Sequence, residues 1–196
     1  MPVAYTSRKG QTYYLCQGTT ETGKLRDYFD REPINGSPDQ IPEGYRINES
    51  VNGVVSLVKD LPPHILPQEV VSVEAALDRH LRCRDFRVGL QKNQILMYER
   101  LGPDLETLSA IFGNVTALQS ETVKMRLQEE FDKMARFSPI LRFILVDMQE
   151  RKFKAERWSY LGDDDIWIDA GASGDLEQLA DRLIPLMGSD EFFELY

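Results

Sequence analysis

Tyr13-Tyr14-Leu15-Cys16, then Gly18-Thr-Thr-Glu-Thr-Gly23, then Leu25, Tyr28 and Phe29 decide how this chain is read. Aromatic residues suit a pleated, half-buried surface and the Gly/Thr segment supplies turn residues, so the stretch predicts a β-hairpin. Pro33, Gly36, Pro38, Pro42 and Gly44 break any periodic element, which makes residues 32–44 a surface loop. Tyr45 and Ile47 alternate with Arg46 and Asn48, and Val54-Val-Ser-Leu-Val58 is a compact β-branched run. Asn52-Gly53 between them predicts a second hairpin closed by a type I′ turn. A small antiparallel sheet is expected here, and residues 1–11, which are polar, are expected to fray.

The same stretch holds the one pattern that resembles nucleotide chemistry. Gly18-Thr-Thr-Glu-Thr-Gly23-Lys24 satisfies G-x-x-x-x-G-K, in which backbone N–H groups cradle phosphates and the lysine reaches the terminal ones. Phe143-Ile-Leu-Val-Asp147 matches the apolar strand ending in Asp that completes such a site. On this alternative, Gly18, Gly23, Lys24 and Asp147 bind a nucleotide. Leu25, however, stands where a Mg²⁺-holding Ser or Thr belongs, Glu21 places a carboxylate inside the cradle, and Pro33 leaves little room for the helix that must follow. The alternative requires a helix after Lys24, whereas a plain hairpin requires a strand through Tyr28 and Phe29.

Composition sets the broad class. The chain has 196 residues, 42% hydrophobic and 28% charged, which is ordinary for a globular protein of one or two domains. No apolar run approaches the roughly 18 residues of a spanning helix, so no membrane association is expected. The first residues lack the apolar segment of a secretory signal, and a cytoplasmic location is the expectation. Cys16 and Cys83 are the only cysteines, and in a reducing compartment they are expected as free thiols. Of the net charge of −9, all the excess lies at the C-terminal end, where residues 163–196 hold ten acidic and one basic side chain. A near-neutral body with an acidic end argues against nucleic-acid binding, which draws on Lys and Arg to displace counterions. Arg79, Arg82, Arg84 and Arg87 form a local basic cluster, read as a solvated helix end and the strand after it.

Asp60-Leu-Pro-Pro-His-Ile-Leu-Pro67 is a proline-rich segment that divides a β-rich region, residues 1–60, from an α/β region, residues 61–196. Val70, Val73, Leu77 and Leu81 predict an amphipathic helix from Gln68 to Arg82, with Asp78 and Arg82 paired on its outer face. Phe86 to Leu101 predicts a hairpin turning at Lys92-Asn93. A short helix capped by Asp104 follows, then a longer one with a Thr116/Gln119 capping box and a stripe of Val123, Leu127, Phe131 and Met134, closed by Ser138-Pro139. Ile140 to Met148 and Phe153 to Leu161 form a third hairpin. Ile166-Trp-Ile168 is a short strand, Gly171-Ala-Ser-Gly174 a turn, and Leu176, Leu179, Leu183 and Leu186 mark a last helix capped by Ser173 or Gly174 and distorted at Pro185. Asp104-Leu-Glu-Thr-Leu108 echoes Asp175-Leu-Glu-Gln-Leu179, consistent with a duplicated helix–hairpin–helix unit. The fold class is α+β, with antiparallel hairpins interleaved with amphipathic helices and a β-rich N-terminal region.

Other constellations lack a required member. His80 and Cys83 share an i,i+3 spacing, but Cys16 and His64 offer no second close pair for zinc. Asp163, Asp164, Asp165 and Asp169 are interrupted by Ile166-Trp167-Ile168 and lack the alternating oxygens of a calcium loop. Ser173 sits near a G-x-S-x-G pattern whose final Gly is displaced by Asp175. No catalytic residue, metal or cofactor is assigned. Trp158, Tyr160 and Trp167 on adjacent predicted strands, with the terminal Phe192-Phe193-Glu-Leu-Tyr196, are the candidate interaction residues, docking on the body, on a protein partner or on a second copy. Tyr13-Tyr14-Leu15, Ile41-Pro42-Glu43-Gly44-Tyr45 and the terminal Phe-Phe-Glu-Leu-Tyr resemble a pattern found in bacterial proteins and imply no activity. The expectation is a non-catalytic interaction or regulatory module of a bacterial cytoplasm.

Overall fold

The computed structural model describes residues 2–34, 36–103, 107, 120–161 and 164–195, save the side chains at 160, 161, 164, 165 and 172. It is an α+β chain of antiparallel ladders and helices that folds as two compact units. The first comprises Met1–Leu61 and Leu101–Arg136, the second Pro62–Arg100 and Phe137–Tyr196.

In the first unit, β1 (Ala4–Thr6), β2 (Thr12–Thr19) and β3 (Leu25–Asp30) form one antiparallel sheet, and β4 (Tyr45–Glu49) pairs with β5 (Val55–Lys59). Residues 3–6 are therefore held in the sheet rather than frayed. Ala4 to Thr6 pair with Tyr14 to Thr12, and Val3 donates its N–H to the Pro38 carbonyl and accepts from the Leu15 N–H.

One turn type closes all three hairpins. Ser7, Thr20 and Ser50 each accept from the N–H of a glycine three residues on, Gly10, Gly23 and Gly53, at 2.8 Å. Their own N–H groups bond Gln11, Lys24 and Val54 across the ladder. The glycines have φ of +74° to +76°, a value that would strain any side-chain-bearing residue. This is a type I turn followed by a left-handed bulge residue, not the type I′ turn that Asn52-Gly53 suggests, because Asn52 keeps a negative φ. Tyr5 and the Arg8 N–H both donate to Glu49 at 2.8 Å, joining the first turn to β4.

Helix α2 (Glu121–Met134) belongs to this unit, and Arg8 donates to the carbonyls of Asp132 and Ala135 at its C-terminal end. The helix stops at Met134; Ser138 and Pro139 lie within the following strand rather than closing it. The helix proposed after Asp104 and the Thr116/Gln119 capping box fall outside the described residues, as does the first arm of the suggested duplication.

The second unit is a five-stranded antiparallel sheet in the order β10-β9-β8-β7-β6, made of β6 (Phe86–Gln91), β7 (Gln94–Leu101), β8 (Arg136–Asp147), β9 (Lys152–Leu161) and β10 (Asp164–Gly174). Its core gathers Ile95 and Met97 of β7, Leu141, Phe143 and Leu145 of β8, and Phe153 and Ala155 of β9. Helix α1 (Pro67–Asp78) adds Val73, Ala76 and Leu77, and α3 (Leu176–Leu183) adds Leu176, Leu179, Ala180 and Leu183. Alternation sends Leu141, Phe143 and Leu145 of β8 and Phe153 and Ala155 of β9 into this core.

α1 starts at Pro67, where a missing N–H costs nothing, and Glu69 accepts from the Leu66 N–H at 2.7 Å. It ends four residues before the expected Arg82. Leu81 is fully exposed, and Arg82 pairs with Asp85 and Glu99 instead of Asp78. β10 runs through the expected turn, with a register shift between Asp169 and Ser173 and Gly171 at φ +63°. The cap of α3 is Asp175, not Ser173 or Gly174: its Oδ1 accepts from Glu177 and Gln178 at 3.0 and 3.2 Å. Pro185 sits in a short 3₁₀ turn, Ile184–Leu186, before α4 (Asp190–Phe193).

Candidate functional site

The Gly18–Lys24 segment is a strand end and a hairpin turn. Gly18 lies inside β2 opposite Arg26, and a Cβ placed on it would stand 3.1 Å from the Tyr28 ring, so the missing side chain is what lets that ring cross the strand. The amides that a phosphate cradle would aim at an anion are turned inward. Gly23 donates to the Thr20 carbonyl at 2.8 Å and Lys24 N–H to Thr20 Oγ at 3.1 Å. Leu25–Asp30 is strand, where the nucleotide alternative needs a helix. A shallow depression of about 400 Å³, lined by Gly18, Thr19, Thr20, Arg26 and Tyr28, lies beside the turn.

Asp147 ends β8 in the second unit. Its Oδ1 accepts from the N–H groups of Glu150 at 2.9 Å and Gln149 at 2.8 Å, which holds its carboxyl below the usual range. Those bonds build the β8–β9 turn.

The second unit contains a built cluster. Trp158 of β9 and Trp167 of β10 are direct cross-strand partners, with ring centroids 4.8 Å apart in an edge-to-face arrangement. Arg142 of β8 lies over the Trp167 ring at 4.2 Å. The same guanidinium donates from Nε to Glu156 Oε2 at 2.8 Å and bonds that oxygen again through a second nitrogen. Lys154 bridges Glu156 and Asp169, both at 3.1 Å.

Burial alone would push the Glu156 carboxyl up, but the bonds from Arg142 and Lys154 outweigh it and hold the group below its ordinary range. The bonds to Asp169 and Glu156 hold the Lys154 ammonium above its own. Phe153, Ala155 and Arg157 point into the core, so Lys154, Glu156 and Trp158 point away from it. The cluster therefore occupies the sheet face that the unit's helices leave to other use. Both tryptophans are half-buried on it.

The terminal segment divides. Phe192, 1% exposed, is part of the core and offers no surface, whereas its edge-to-face neighbour Phe193 is exposed. Buried Arg157 donates to the Leu195 carbonyl at 2.9 Å, which ties the segment to β9. The Tyr160 side chain and Tyr196 lie outside the described residues, as does Asp163. Of the residues singled out from sequence, Trp158 and Trp167 are brought together, and sequence reasoning missed Arg142, Lys154 and Glu156. Alternation along the strands shows only which face they take, since Arg142 sits between Leu141 and Phe143 and Lys154 between Phe153 and Ala155; that they meet the tryptophans depends on cross-strand register. Cys16 and Cys83 are free thiols, and no three His, Cys, Asp or Glu side chains among the described residues come together as a metal site. No described helix is long and apolar enough to cross a membrane. No family model matches the chain, and no curated protein or solved structure matches it significantly.

Proposed function

We propose that this chain is a non-catalytic protein-interaction or regulatory module of a bacterial cytoplasm, and that it meets its partner through the outer face of the second unit's sheet. The observation that carries this reading is the Arg142–Trp167–Trp158 stack on the face turned away from the core. Trp and Arg dominate the binding energy of protein interfaces because each offers a large rigid surface with a polar handle. Here both are held in place before any partner arrives, Arg142 by Glu156 and Trp167 by its cross-strand neighbour, so little side-chain freedom is lost on binding. The free thiols of Cys16 and Cys83 support the cytoplasmic part of the reading.

The test begins with cross-linked capture from a bacterial extract, followed by rebinding of the purified partner to wild type, Trp167→Ala and Arg142→Ala. Hot-spot losses of roughly 2 kcal/mol predict an affinity weakened by at least about tenfold in each variant. Unchanged affinity in both folded variants would remove the sheet face from the interface.

A further inference from the structure

Helix α2 carries an apolar stripe that remains partly exposed along its whole length. No residue of Glu121–Met134 is buried; Val123 and Leu127 are 39% and 37% exposed, Met134 is 63% exposed, and Phe131 is half-buried. A helix that packs on its own unit buries this kind of stripe.

The charges of α2 point the same way. Lys124 and Arg126 lie in the N-terminal half and have no ion-pair partner among the described residues, while Glu129, Glu130 and Asp132 crowd the C-terminal half. A helix dipole favours acids near its start and bases near its end. Only Glu121 and Lys133, the latter 2.6 Å from Glu130, follow that preference. The helix is thus polarised against its own dipole, and its two halves carry opposite charge.

An antiparallel neighbour of the same sequence answers both features. It lays stripe on stripe, opposes the two dipoles, and sets the basic half of each helix against the acidic half of the other. We propose that α2 is a self-association surface that pairs antiparallel with α2 of a second copy of this chain, about a two-fold axis near Leu127. Such an isologous contact uses one patch twice, so a patch that complements itself end to end is what it requires. The proposal stands on the first unit and is independent of the sheet face proposed above. Fourteen residues give a helix of about 21 Å, and two such faces bury less than the roughly 1,200 Å² of a stable complex. Association is therefore weak and concentration-dependent.

Sedimentation equilibrium of the full chain from about 10 μM to 1 mM spans the affinities of such weak contacts. The expected result is a weight-average mass rising from one chain toward two. Lys124→Glu with Arg126→Glu makes both halves acidic, and Glu129→Lys with Glu130→Lys makes both basic. Each variant alone should stay at one chain's mass, and an equimolar mixture should regain the rise, because every acidic half then faces a basic one. The altered residues are exposed, so the folded state is kept and the mixture is its own control. A wild type that stays monomeric throughout overturns the proposal. So does a reversal variant that associates as wild type does, or a mixture that stays monomeric.

Discussion

The five-stranded sheet of the second unit buries a continuous apolar cluster from Ile65 to Phe192, whereas the hairpins of the first unit fully bury only Leu15 and Cys16 among their described apolar side chains, with Val55 close behind. Both are antiparallel ladders, so strand pairing does not account for the difference. What differs is what covers the pleat: α1 and α3 close one face of the large sheet, while the hairpins of the first unit are held by repeated turns and by polar ties such as Tyr5 and Arg8 to Glu49. A ladder fixes geometry. Burial of apolar area supplies most of the free energy that keeps it folded.

The largest expected effect breaks that comparison directly. Phe143→Ala empties a fully buried ring site at the centre of the cluster and should cost about 3–5 kcal/mol, whereas Leu15→Ala, with few buried neighbours to leave a rigid cavity, should cost about 2 kcal/mol. Urea unfolding gives the totals, and amide exchange shows where each loss falls: β8 and β9 for Phe143→Ala, β2 and β3 for Leu15→Ala. Equal costs would mean that the two units are stabilised alike.

A smaller change tests local rather than core stabilisation. Asp175 satisfies two otherwise unpaired amides at the start of α3, and Asp175→Ala should cost about 1 kcal/mol, with Asp175→Asn retaining most of it. Ser173→Ala should have no such effect, because Ser173 remains in β10. Thermal melts of the three variants separate these outcomes. The distinction was within reach of the sequence. Asp175 outranks a glycine as a cap and immediately precedes the leucine stripe, but the Gly171-Ala-Ser-Gly174 composition masked a bulged strand as a turn.

Much else was legible for physical reasons. Alternation of Phe86, Val88 and Leu90 marked β6, apolar runs marked β7 to β9, and the leucine spacing of Leu176 to Leu183 marked α3, because each meets a core. Two of the first unit's turns were legible, at Gly18 to Gly23 and at Asn52-Gly53, while the one at Ser7 to Gly10 was not, and Asn52-Gly53 drew the wrong turn type because the dipeptide signal ignores the serine upstream. β1 escaped notice because Ala4-Tyr5-Thr6 is too short to carry a pattern and forms a strand only once Thr12 to Tyr14 are there to pair with it. Leu81 misled because periodicity continues one turn beyond the helix it describes. The cation partners of the tryptophan pair escaped for another reason: pairing across strands depends on register, and spacing along one strand does not report it.

The outer face of the large sheet gives a prediction in pH. The Glu156 carboxyl is held below its ordinary value of 4.5 in the folded state, so its contribution to stability is complete above 4.5 and declines as pH falls through the lowered value. Glu156→Gln should flatten the dependence of the urea midpoint on pH below about 4.5 and leave the midpoint's slope near pH 7 unchanged. Arg142→Met should shrink or reverse that acid-side loss, since without the guanidinium burial raises the carboxyl, and a raised carboxyl favours the folded state as pH falls. A wild-type midpoint that does not move between pH 5 and pH 3 would mean the Arg142–Glu156 pair contributes nothing to folding.

The smallest expected effect separates the two readings of Gly18 to Lys24. Lys24 is exposed, its N–H is spent on Thr20 Oγ, and a strand follows it, so Lys24→Ala should change stability by less than about 0.5 kcal/mol and alter no ligand response. Thermal melts with Mg²⁺ and nucleoside triphosphates give the decisive contrast. A nucleotide at about a hundred times its dissociation constant adds roughly 2.7 kcal/mol to a folded state that binds it. A stabilisation of that size in wild type, lost in Lys24→Ala, would show that the turn reorganises to release its amides and that the first unit binds phosphate. Gly23→Ala sharpens the same point: at φ +76° it strains the turn and should destabilise the hairpin whether or not any nucleotide is present, which marks this glycine as a requirement of the backbone.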